Sequence, residues 1–292
     1  MNQSIKAHLA ALLGYSIFGF SFLFSKIALG LTDPFVLLSV RFLVAFAVLN
    51  LLWLTGRCSL SLRGKPVGAL LALGLVQPVL YFVFESYGIS QTSASFSGVM
   101  IGLAPVVGLV FGVMFLKEKC TAFQVACTLL SVVGVAMTTT GGFGASFTGF
   151  LLLLGAVVSA ALFAILSRGI AAHFSAYERT YVMFALGSAV FTAVALAQNR
   201  ASMGAVLKGL TQPAFWVAVG YLAVISSVCA FLLINYALSY IPAGRALIFS
   251  NFTTVISVLA GILIMKDTFT PVQLLGIAII TAGVFGVSMQ KE

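Results

Sequence analysis

From Leu9 onward the chain runs in apolar stretches of about twenty residues, broken only by short clusters of glycine, proline and charge. A bilayer core about 30 Å thick needs roughly 20 mainly apolar residues per helix. Cutting the runs at those clusters predicts ten spans, at 8–30, 34–55, 66–89, 92–116, 121–139, 147–172, 176–198, 213–239, 242–265 and 271–289. Lipid offers no partner to a bare peptide group, so each span must be a helix or a strand of a closed barrel. The runs lack the alternation a barrel strand needs. The pattern therefore predicts an all-α polytopic membrane protein with ten transmembrane helices. The first run stays apolar past Phe24 and shows no small-residue cleavage pattern, so it reads as a span and not as a signal peptide.

Composition agrees with the pattern. The 292 residues are 61% apolar and 7% charged, whereas an average soluble domain is roughly a quarter charged. The net charge of +9 would suggest nucleic acid in a soluble protein. Here the lysines and arginines sit mostly in short connectors, where they set topology, and no nucleic-acid partner is expected. With the N-terminus inside, the inner connectors hold Lys6, Arg57, Arg63, Lys65, Lys117, Lys119, Arg168, Arg179 and Lys291, against Arg200, Lys208 and Lys266 on the other side. That asymmetry predicts a multi-pass protein of the cell (inner or plasma) membrane with both termini cytoplasmic. Cys58, Cys120, Cys127 and Cys229 show no metal-ligand spacing and are given no role.

A shift of 149 residues lays FVFESYGISQTSAS, starting at Phe82, over FLLINYALSYIPAG, starting at Phe231. The same shift superposes Gly112 on Gly261, Lys117-Glu118 on Lys266-Asp267, Thr121 on Thr270, Gln124 on Gln273 and Gly134-Val135 on Gly283-Val284. The chain thus divides into two five-helix repeats, 1–141 and 142–292. Five is odd, so the second repeat enters the membrane from the opposite side. Inverted repeats of this kind underlie alternating access in many carriers.

The segments DPFVLLSVRFLVA at 33–45, SYGISQTSAS at 86–95, the helix containing Pro105, FLKEKCTAFQ at 115–124 and, in the second copy, YALSYIPAG and IMKDTFTPVQLLGI carry a family resemblance. Over essentially its whole length the sequence resembles the EamA-type branch of the drug/metabolite transporter superfamily. The resemblance implies transport of small organic molecules, often export of amino acids or other metabolites, through a cavity between the halves. One departure lies in the first span. Many relatives carry a tryptophan near the substrate path there, whereas this chain reads GYSIFGFSF, with Tyr15 and Phe18.

Charge within a span is costly, which singles out Arg41 and Glu85. Both fall at a similar depth near the outer ends of their helices, so one expectation is an ion pair between them, or each satisfied separately by backbone and polar neighbours. The other is that Glu85 faces the cavity and carries a proton or meets a substrate amine. Gln77, Tyr81 and Glu85 recur at i, i+4 and i+8 and form one stripe beside Pro78. Such a stripe should face an aqueous path or another helix, and the path is the leading expectation. Candidate cavity residues are therefore Tyr15, Gln77, Tyr81, Glu85, Asn251 and Ser226, although the Ser226-Ser227 hydroxyls also suit interhelical hydrogen bonding. Arg245, in the first turn after Pro242, reads as a cytoplasmic anchor or gate. Gly98-x-x-x-Gly102 and Gly108-x-x-x-Gly112 suit close helix packing.

The leading expectation is a secondary transporter, with an ion-independent facilitator as its nearest rival. Its expected partners are a small-molecule substrate and the lipid bilayer, with proton coupling and the choice of monomer or homodimer left open. An intramembrane enzyme would need a paired acid, a metal cluster or a nucleophile with its base. Asp33 and Asp267 lie at helix ends, and His8 and His173 stand apart. No Walker-type phosphate loop is present. No enzymatic activity, cofactor or metal is expected.

Overall fold

Each predicted span becomes a helix in a computed structural model that describes residues 3–116, 121–139, 146–200 and 209–289. Eight helices are long and apolar enough to cross a membrane: α1 (Gln3–Leu29), α2 (Pro34–Leu54), α3 (Val67–Ser90), α4 (Ala94–Phe111), α6 (Phe147–Gly169), α7 (Ala176–Gln198), α8 (Pro213–Tyr240) and α9 (Ala243–Met265). Two more, α5 (Ala122–Thr139) and α10 (Pro271–Met289), close the repeats. Lys117-Glu118, Lys119, Cys120, Lys208 and Lys291 lie outside the described residues.

Local chemistry sets the helix ends. Pro34 and Pro213 occupy first turns, where a missing N–H costs nothing. Ser146 caps α6 by accepting from the Gly149 N–H at 2.9 Å. Ser175 and Glu178 form a reciprocal capping box on α7. Helix α1 begins at Gln3, not at residue 8, because the polar first turns prolong the helix beyond the apolar run. Glu178 also pairs with Lys65 at 2.8 Å and accepts from the Ser61 N–H, which fastens the α2–α3 connector to α7.

The halves interlock. Helix α5 packs on α10, α2 on α7, α3 on α6, and α1 on both α8 and α9, while α4 crosses α9. Every one of these pairings joins one repeat to the other. At the α4–α9 crossing the glycine backbones admit hydroxyl side chains. Thr254 Oγ1 donates to the Gly98 carbonyl at 3.2 Å, and a Cβ on Gly98 or Gly102 would run into Ser257 or Thr254.

Three helices carry a π-helical stretch, α3 and α8 at mid-length and α9 at its C-terminal end. Helix α3 has a π-helical stretch at Leu75–Leu80 in which Gln77 leaves helical angles (φ −148°, ψ 115°). Pro78 supplies no N–H for the regular ladder there. Helix α8 is π-helical over Tyr221–Cys229, and α9 over Gly261–Met265. Short π-helical turns inside α-helices occur frequently at functional sites.

Candidate functional site

Six helices meet around a small central cavity of about 30 Å³. Tyr15, Phe18 and Phe22 of α1, Gln77 and Tyr81 of α3, and Ile101 and Ala104 of α4 form the wall from the first repeat. Ala160 and Phe163 of α6, Ile234 of α8, and Leu247, Ser250 and Thr253 of α9 form the wall from the second. A space of that size holds about one or two waters. The walls are thus close together, and the lining is aromatic with a few neutral polar groups.

Two of those groups lack a hydrogen-bond partner within the protein. Gln77 Oε1 and Ser250 Oγ are buried and unsatisfied, as is Asn251 Nδ2 nearby in sequence. Buried polar atoms are nearly always paired, so an orphaned acceptor on one cavity wall and an orphaned hydroxyl on the other stand out as free to meet an incoming polar group. A larger groove, about 480 Å³, opens beside the α6–α7 connector, with Tyr236, Ser239 and Tyr240 on its rim. None of the unsatisfied buried atoms belongs to its lining. The central cavity is the better candidate site.

Of the residues expected there, Tyr15, Gln77 and Tyr81 line the cavity. Glu85 stands one hydrogen bond behind it: the Tyr81 hydroxyl donates to Glu85 Oε1 at 2.9 Å, and the carboxylate is buried. The polar stripe of α3 therefore runs from the cavity wall into the protein. Asn251 is buried beside Ser250 but is not part of the lining, and Arg245 is exposed in the first turn of α9.

The ion pair between Arg41 and Glu85 is not formed. Arg41 reaches from α2 to the π-helical stretch of α8, where Nε donates to Ser227 Oγ at 2.9 Å and Nη2 to Ser226 Oγ at 3.2 Å. Its guanidinium also lies over the Phe82 ring, 4.3 Å from the centroid. Arg41 and Glu85 each have neutral partners in contact instead. Ser226, expected on the cavity, is thus turned to Arg41. Two hydroxyls and an aromatic face satisfy the buried cation well enough that the carboxylate is left to Tyr81.

Sequence reasoning did not find the wall contributed by α6. Ala160 and Phe163 carry no polar signal, and a cavity-facing phenylalanine looks the same in sequence as one facing lipid. Among the described residues no group of three or more His, Cys, Asp or Glu side chains could hold a metal ion.

Comparison with known proteins fits this architecture. The EamA-like transporter family matches twice, at residues 5–140 and 147–289. An uncharacterized transporter of Bacillus subtilis (strain 168), YcxC, is 36% identical over 297 residues, spanning all of this chain and 95% of the relative. A second from the same organism, YetK, is 26% identical over 100% of this chain and 89% of its own length. A solved crystal structure superposes with a TM-score of 0.68 at 18% identity, covering 96% of this chain and 95% of that one, which supports the fold alone. The two family matches and the full-length relatives make this a membrane transporter, not an enzyme, and the chain belongs to the EamA-like transporter family.

Proposed function

We propose that the protein is a secondary transporter that exports a small organic metabolite or amino acid by alternating access. The observation that carries this is the cavity itself, lined by three helices of each inverted repeat and bearing the unpartnered Gln77 Oε1 and Ser250 Oγ. A site shared between inverted halves can face either side when the halves exchange roles. Its aromatic walls suit an apolar or flat substrate body, and its neutral polar groups suit a donor on that body. The basic connectors support placing both termini in the cytoplasm.

In this reading Glu85 couples transport to protons. Among the described residues Glu85 and Glu178 are the buried carboxylates, and Glu178 is ion-paired to Lys65 whereas Glu85 is not paired to a cation. A proton arriving at Glu85 changes what the Tyr81 hydroxyl bonds to, and Tyr81 is on the cavity wall. A thermal-shift screen of metabolite pools identifies the ligand, since a compound bound by the folded form raises the melting temperature. Uptake of that ligand into proteoliposomes is then followed with and without a pH gradient. The Glu85→Gln protein should still exchange ligand but lose acceleration by the gradient. Unchanged acceleration would remove Glu85 from coupling and favour an ion-independent facilitator.

A further inference from the structure

Both halves use a cation to hold a helix C-terminus, and they do so at opposite faces of the bundle. At the face away from the chain termini, Lys26 near the end of α1 donates to the carbonyl oxygens of Ile89 (2.8 Å), Ser90 (3.4 Å) and Thr92 where α3 ends. At the terminal face, Arg168 near the end of α6 donates to the carbonyls of Leu238 (3.2 Å) and Ser239 (2.7 Å) where α8 ends. Carbonyls at a helix C-terminus lack intrahelical partners and carry partial negative charge, so a cation is favoured there.

The two ties are the same interaction in inverted copies. Asp33 precedes α2 as Ser175 precedes α7, a shift of 142 residues that lays Lys26 on Arg168. The shift of 149 that aligns the later helices lays Ile89 and Ser90 on Leu238 and Ser239. Neither alignment alone reveals the match, because the repeats differ in length between their second and third helices.

Packing gives these ties a mechanical meaning. Helix α1 rests on α8, and α6 rests on α3, so the cavity separates an α1–α8 group from an α3–α6 group, with α4 and α9 crossing between them. Lys26 joins the two groups at the far face, and Arg168 joins them at the terminal face. Each closure has its own reinforcement. At the far face Asp267, beyond the left-handed Lys266 that ends α9, accepts from Ser95 Oγ at 2.6 Å. At the terminal face the buried Arg179 donates to the Ser167 carbonyl and hydroxyl at 2.7 Å, to the Asn235 carbonyl at 2.6 Å and to Ser239 Oγ.

We propose that Lys26 and Arg168 are paired latches, one for each face, and that the balance between them sets which way the resting carrier opens. The proposal rests on the alternating-access reading. Opening the cavity to one face separates the two groups there and breaks that latch alone.

The test places a reporter in the cavity wall, Ala160→Cys, and measures its labelling by a membrane-impermeant maleimide from each face in vesicles of defined orientation, relative to the same chain without the reporter. Lys26→Met should raise far-face over terminal-face labelling about tenfold, the scale of one lost charge-assisted hydrogen-bond set. Arg168→Met should shift the ratio the other way, Lys26→Arg should retain the starting ratio, and the double variant should return towards it. Lys26→Gln, which keeps a donor without the charge, gives a second reading if Lys26→Met does not fold. A ratio within twofold of the starting value in either folded Lys26 variant overturns the latch, as does a shift of both single variants in one direction. Labelling from one face only in every variant would instead remove alternating access itself.

Discussion

Helices α3 and α8 occupy equivalent places in the two repeats and both carry a π-helical stretch at mid-length, yet they use their polar residues differently. Helix α3 turns Gln77 and Tyr81 into the cavity and keeps Glu85 behind them. Helix α8 turns Ser226 and Ser227 to Arg41, while Asn235 accepts from Ser167 at 2.6 Å and donates to Thr180 at 3.0 Å. One copy presents polar groups to the cavity and the other uses them to fasten helices together. A duplicated fold therefore does not give a duplicated site. The local departure from α geometry is shared, and the side chains decide what it serves.

The sharpest way to break the comparison is at Arg41. Arg41→Ala would empty a fully buried volume and leave two serine hydroxyls unpartnered, at an expected cost of about 3 kcal/mol in stability. A fall in the detergent melting temperature measures it, and an unchanged value would mean α8 does not depend on that contact. Next is Gln77→Leu, which removes an unsatisfied acceptor from the α3 side. Transport of the identified ligand should fall about tenfold while the melting temperature holds, because no protein partner is lost. Loss of stability with normal transport would place Gln77 with the fastening residues of α8. The smallest effect belongs to Ser226→Ala, which removes one of two acceptors from Arg41 and should cost about 1 kcal/mol with transport little changed. A larger loss of transport than of stability there would mean α8 also faces the substrate path.

The fold was largely legible in the sequence because the bilayer imposes a length on each apolar run, and proline at Pro34, Pro213 and Pro271 punctuates the runs. The depth of Arg41 and Glu85 could be read by counting residues, but the direction each faces around its helix could not. Arg41 found serines on a helix nearly two hundred residues away in sequence, so the expected ion pair gave way to a contact no local pattern announces. The stripe of Gln77, Tyr81 and Glu85 was visible because polarity stands out in an apolar helix. Phe163 and Ile234 were not, since apolar residues do not declare whether they face lipid, a neighbour or a cavity.

Helices α5 and α10 take no part in the cavity lining and close on each other through Gly134, Gly276 and Gly283, where added Cβ atoms would meet Ile280, Gly134 and Ser131. Four helices, α6 to α9, separate α5 from α10 along the chain. The glycine face of α5 must therefore wait, unpartnered by its final neighbour, while the whole second repeat is synthesised and threaded into the bilayer. The first repeat is finished as a sequence long before it is finished as a structure, because the seam that completes it needs the final helix of the second repeat.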